Sequence, residues 1–160
     1  LLDELRYEFK GWYRDEQGTQ KLTDNTIFDP DSIDFKPTNN EDTTFYAIFG
    51  IKTADITITQ NGGSENDNFI YRVIDENKNE LIVTVKGRGS ITIKDLLCGN
   101  YTITEITDWD WRYEPDSSGS EKSVTVKDTT TNQVTFTNRP NDKNWLGGES
   151  NKDNLFNYNS

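Results

Sequence analysis

The chain holds 28 acidic residues, one cysteine and no histidine, so whatever chemistry it performs must come from carboxyls, amides and aromatic rings. Side chains two apart on a strand share a face, and this rule singles out three polar groups. Ile56, Ile58 and Gln60 form one row, Tyr101, Ile103 and Glu105 a second, and Val134, Phe136 and Asn138 a third. Each row carries its polar group at the end. Burying an unpaired carboxylate is costly, so an inward Glu105 is expected either to be protonated or to meet hydrogen-bond donors, and the amides of Gln60 and Asn138 are suitable partners. The pattern leaves a second outcome open, in which the strand ends fray and the three groups face water.

A second constellation lies at Asp108-Trp109-Asp110-Trp111-Arg112-Tyr113-Glu114-Pro115. On a strand, Trp109, Trp111 and Tyr113 would share one face, with Arg112 and the acidic residues opposite. Such a strip could stack on sugar rings or on a partner's apolar patch, Asp and Arg supplying hydrogen bonds. It could equally cover an open edge of a sandwich. The acidic stretch from Asp29 to Asp34 offers oxygens to calcium, which takes six to eight, but it lacks the EF-hand spacing with its Gly and closing Glu. A solvated turn around Pro30 is the better reading.

Several function classes fall away. The absence of His removes the commonest zinc ligand, proton shuttle and triad base, and a lone Cys98 allows neither an intrachain disulfide nor an all-Cys metal site. Hydrolysis by carboxylates alone needs a pair held at a fixed distance in a cleft, and no motif singles one out. We therefore expect no cofactor, no metal and no enzymatic activity. A net charge of -11 and a pI near 4.4, with 17 scattered basic residues, oppose binding to nucleic acid or an anionic membrane. No run approaches the roughly 20 apolar residues of a membrane span. The first residue is Leu and no signal peptide follows it, so the chain reads as an interior or C-terminal piece whose secretion signal, if it has one, lies upstream.

The elements that position these residues are strands. Short alternating stretches recur between clusters of Asn, Asp, Gly and Pro, and no segment keeps a helical period, so the pattern predicts an all-β fold. Strands are expected at Tyr7–Arg14, Thr44–Phe49, Asp55–Gln60, Asn68–Ile74, Glu80–Lys86, Ser90–Lys94, Gly99–Thr107, Lys122–Lys127 and Gln133–Asn138, with a short helical lead-in over residues 1–6. A hydrophobic content of 31% is low for one well-filled core, whereas 12% aromatic residues can anchor small sheets. The boundaries follow: a first module at 1–50, a second at 51–139, and a polar tail at 140–160 anchored, if at all, by Trp145, Leu146, Leu155 and Phe156.

Phe9-Lys10-Gly11-Trp12-Tyr13 together with Thr44 to Phe49 resembles the Listeria–Bacteroides repeat of internalin B-repeats over residues 7–49. That resemblance implies a small β-grasp-like module; a small sheet needs large residues to bury enough surface, so Trp12 and Tyr13 read as core rings, with a binding platform as the alternative. Phe49 stands where the family usually has Trp, and the opening strand of such repeats is missing. Residues 54–138 resemble the collagen-adhesin B-type domain, a pilin-like Greek-key β-sandwich of Gram-positive surface proteins. The motifs are Ile56 to Gln60, Gly89 to Leu96 leading into Gly99-Asn100-Tyr101-Thr102-Ile103-Thr104-Glu105, and Val134 to Asn138.

In that family a Lys on the first strand attacks an Asn on the last, assisted by the Glu, and an isopeptide bond forms. Glu105 and Asn138 match the Glu and Asn, but Gln60 stands in place of the Lys. An amide nitrogen shares its lone pair with its carbonyl and is not a nucleophile, so the resemblance implies a degenerate, hydrogen-bonded triad. The missing crosslink would be worth about 4 to 5 kcal/mol if it behaved like a disulfide closing a loop of about 80 residues. Lys52 could replace the missing amine only in a different strand register.

The expectation that results is a non-enzymatic structural or adhesive module, secreted or cell-wall associated. Its partners would be a host or matrix protein, a glycan, or other domains of the same chain. No Leu-Pro-x-Thr-Gly sorting signal is present. The alternative is a carbohydrate-binding accessory module of a larger extracellular enzyme, acting through Trp109 and Trp111.

Overall fold

A computed structural model describes residues 3–32, 35–36, 44–108 and 112–141, and these are all-β, with eleven strands. The chain divides into two compact units, Leu1–Thr53 and Ala54–Ser160.

In the first unit, β1 (Tyr7–Tyr13), β2 (Lys21–Thr23) and β3 (Tyr46–Ile51) form an antiparallel sheet in the order β2-β1-β3. The register against β3 slips between Phe9 and Gly11, a bulge made at Gly11, whose φ is 130°. A Cβ at that position would stand 2.7 Å from the carbonyl oxygen of Thr23, so the glycine is fixed by the close approach of backbone. Rings fill the space that aliphatic residues leave empty. Phe9, Trp12, Phe28, Phe35, Phe45 and Phe49 contact one another at centroid distances from 4.6 to 6.0 Å, and Phe35 is buried. Residues 3–6 form one turn rather than a helical lead-in, with Arg6 and Tyr7 donating to the Asp3 carbonyl. A single turn gains too little to propagate where a strand begins at the next residue.

The second unit is built from β4 (Thr53–Asn61), β5 (Asn68–Asp75), β6 (Glu80–Lys86), β7 (Ser90–Leu97), β8 (Gly99–Glu105), β9 (Tyr113–Pro115), β10 (Glu121–Val126) and β11 (Asn132–Pro140). One sheet runs β10-β8-β5-β6 and the other β7-β4-β11-β9. All pairings in the first sheet are antiparallel. In the second, β4 and β11 are parallel over six register pairs, from Asn132↔Ile56 to Thr137↔Asn61. The core is made by the inward rows, which bury Ile56, Ile58, Phe69, Tyr71, Val73, Val85, Ile103, Val126 and Phe136.

Strand limits differ from the sequence reading where pairing decides them. β7 continues to Leu97 across a left-handed residue, Asp95 (φ 56°), whose N–H donates to the Asp55 carboxylate at 3.1 Å. β11 reaches Pro140 because β9 pairs with its last three residues. β2 and β9, three residues each, are too short to show alternation. Among the described residues no helix is long and apolar enough to cross a membrane.

Candidate functional site

Gln60, Glu105 and Asn138 are all buried, at 1%, 5% and 5% exposure. Each ends an inward row for the same reason: alternation carries the side chain to the core face while the strand is still paired. Gln60 lies beside Phe136 in the parallel register of β4 and β11. Glu105, the last residue of β8, stands opposite Tyr71 on β5. Asn138 is held between β4 and β9, with Pro115 as its register partner on β9.

The side-chain bonds join these residues in two pairs. The Asn138 amide Nδ2 donates to Glu105 Oε1, and the Tyr71 hydroxyl donates to Gln60 Oε1. Gln60 Nε2 in turn donates to the Asn61 carbonyl at 2.7 Å. Gln60 therefore bonds neither Glu105 nor Asn138 directly. Tyr71, fully buried, stands between them, bonded to Gln60 and facing Glu105 across the sheet. Burial first, and then the charge of Glu105, pushes its phenol far above its ordinary range. It thus remains a hydrogen-bond donor at any physiological pH.

The following turn closes this polar end. Gly62 and Gly63 both have positive φ, at 80° and 74°. A Cβ on the first would collide with the Asn138 carbonyl, and one on the second with the Phe69 ring. The turn thus packs directly on the Asn138 backbone and borders a surface concavity that Gly62, Gly63, Arg88, Tyr113 and Asn138 line. Chemically the arrangement holds an acyl group (Asn138), a carboxyl (Glu105) and a second amide (Gln60), whose nitrogen is not a nucleophile. Lys52 lies before β4 begins, its Nζ donating to the Glu4 carbonyl at 3.1 Å, whereas Gln60 is one residue from the other end of that strand.

Of the aromatic constellation, Trp109 and Trp111 lie outside the described residues, as do Ile33 and Asp34 of the acidic stretch and the tail residues Trp145, Leu146, Leu155 and Phe156. Tyr113 packs its ring 5.8 Å from that of Phe69, and Arg112 Nη2 bonds the buried Asp67 carboxylate at 2.6 Å. Both contacts hold the sandwich together. Asp29 accepts the Asp31 N–H at 3.0 Å and closes its own turn.

Sequence reasoning did not find Tyr71 or Asn132. Asn132 is buried and uses its whole amide: Oδ1 accepts from Lys127 N–H and Thr130 Oγ1, and Nδ2 donates to the Asp55 and Lys127 carbonyls at 3.0 and 2.9 Å. The one available signal was a polar tip within an inward row, Phe69-Tyr71-Val73, and a tyrosine there reads as an ordinary core ring.

No protein-family model matches the chain, and no curated protein matches it. Solved structures similar to it include the Bacillus anthracis TIE protein, at 20% identity and a TM-score of 0.41, covering 60% of this chain and 21% of that one. Another is a bacterial adhesin from Mobiluncus mulieris containing intramolecular disulfide, isopeptide and ester bond cross-links. It is 16% identical with a TM-score of 0.40, over 59% of this chain and 43% of that one. A pilus-presented adhesin, Cpa, is similar at 14% identity and a TM-score of 0.36, over 55% and 27% of the two chains. The chain thus spans less than half the length of each of these three.

Proposed function

We propose that the chain is a non-enzymatic structural or adhesive part of a bacterial secreted or cell-surface protein, serving to space or display other domains, and that its second unit lacks an isopeptide bond. The observation that carries this reading is the buried pair of Asn138 and Glu105 with Gln60 locked to Tyr71. The motifs around these residues resemble those of a collagen-adhesin B-type domain. The residue in the amine position is an amide whose nitrogen already donates to a backbone carbonyl and has no free electron pair for attack.

Side chains buried to this degree and bonded to one another support a role in holding strands together better than one in turnover, which needs substrate access. Intact-mass measurement of the purified chain tests the reading: the full sequence mass is expected. Loss of one ammonia, with a crosslinked peptide containing Asn138, would overturn it.

A further inference from the structure

The first and last strands of the second unit, β4 and β11, are neighbours and run parallel. The chain enters β4 at the end where Ile56 faces Asn132 and leaves β11 at the end where Asn61 faces Thr137. Tension along the chain therefore pulls these two strands in opposite directions along their common axis. All bonds of their ladder then share the load and must break together, whereas a hairpin such as β5–β6, pulled at its open end, yields one pair at a time.

Both ends of this ladder carry bonds made by buried side chains. At the entry end, Asn132 on β11 donates to the carbonyl of Asp55 on β4. At the exit end, Gln60 of β4 is tied to Tyr71 of β5, and Asn138 of β11 to Glu105 of β8. Tyr71 and Glu105 are themselves register partners. A second route from β4 to β11 thus passes through the facing sheet, parallel to the backbone ladder.

We propose that the second unit is a load-bearing module, in which tension is resisted by shear of β4 against β11 and the Gln60–Tyr71 and Glu105–Asn138 bonds act as a non-covalent second linkage. That the unit meets tension at all rests on the spacer reading above; the mechanical property itself can be measured independently.

The experiment is single-molecule force spectroscopy on the full 160-residue chain, with the second unit's event assigned by the length it releases. In one geometry the handles are at the two chain ends. In the other the C-terminal handle is moved to Thr129→Cys, in the exposed turn before β11, so that β4 and β11 are pulled from the same end and unzip; buried Cys98 does not compete for the handle. The end-to-end force is expected to exceed the unzipping force by at least about twofold, since forced unfolding is governed by the unfolding barrier along the pulled direction. Equal forces would overturn the load-bearing inference and leave the spacer reading standing, while the absence of an isopeptide bond is tested separately by the mass measurement.

In the end-to-end geometry, Tyr71→Phe is expected to speed unfolding under load about tenfold. Val85→Ala on β6, whose register partner is Phe69 and not Tyr71, should leave that rate unchanged even though it lowers equilibrium stability. Equal effects of the two substitutions would remove the second linkage from the proposal.

Discussion

Tyr71 acts through a single hydroxyl, which it holds inside the second unit. It is fully buried, it satisfies Gln60 Oε1, and its high pKa keeps the proton in place. Tyr71→Phe leaves the ring packed but abandons a buried amide oxygen, so a loss of about 1 to 3 kcal/mol is expected, read from urea midpoints. Adding Gln60→Leu to that variant should cost less than the two single changes summed, because both partners of the bond are then gone. Gln60→Lys is the complementary test. Burial keeps an amine neutral and nucleophilic, Asn138 offers its carbonyl carbon, and Glu105 can polarise it. The variant is expected to weigh one ammonia less than its sequence, and Glu105→Ala in the same background to abolish the loss. The burial of Gln60, Glu105 and Asn138 was legible in the sequence because a period of two is sensitive to a single polar residue at the end of an apolar row. The intervening Tyr71 was not, since a ring in such a row looks apolar until its hydroxyl's partner is known.

Turns set the limits of several elements, and three of them use the same device. Asp15, Asp75 and Asp116 each accept local hydrogen bonds: Asp15 from Thr19 and Gln20, Asp75 from Asn77 and Asn79, and Asp116 from Ser118. These bonds hold all three carboxyls below their ordinary value of 3.8, led respectively by the Thr19 N–H, the Asn79 side chain and the Ser118 side chain. A depressed carboxylate contributes stability that is complete above its unfolded pKa and is lost as pH falls through the lower folded value. Acid titration of urea midpoints should therefore show a fall beginning below about pH 4, and Asp75→Ala should lower the midpoint at pH 7 while making that fall shallower. An equally steep fall in the variant would mean that Asp75 is not among the groups responsible. Most strands could be read from alternation and Asn, Asp and Gly punctuation. Their ends could not, because a strand stops where its neighbour does: β11 is extended by β9, and β7 passes through Asp95 because Asp55 receives that residue's N–H.

For the chain as a whole, alternation indicated β structure and composition a low content of aliphatic core, but neither showed which strands would pair. Parallel pairing of β4 with β11 leaves no local mark, since each strand alternates identically whatever the direction of its neighbour. Charge is different, because it acts on the whole chain without needing a register. The net charge of -11 produces self-repulsion that opposes compaction, while ion pairs such as Arg6–Asp3, Arg72–Glu80 and Arg139–Glu114 are largely exposed and individually worth little. Both terms are screened by salt, in opposite directions. Repulsion among an excess of 11 negative charges is summed over many pairs, whereas each attraction is local and already weakened by water, so repulsion dominates the balance. Raising sodium chloride from about 10 mM to about 150 mM shortens the screening length from about 30 Å to about 8 Å, and the urea midpoint at pH 7 is expected to rise. A falling midpoint would mean that the ion pairs outweigh the net charge. Repeating the measurement near pH 4.4, where the net charge vanishes, should then remove that rise, because the repulsion is gone and only the ion pairs remain to be screened.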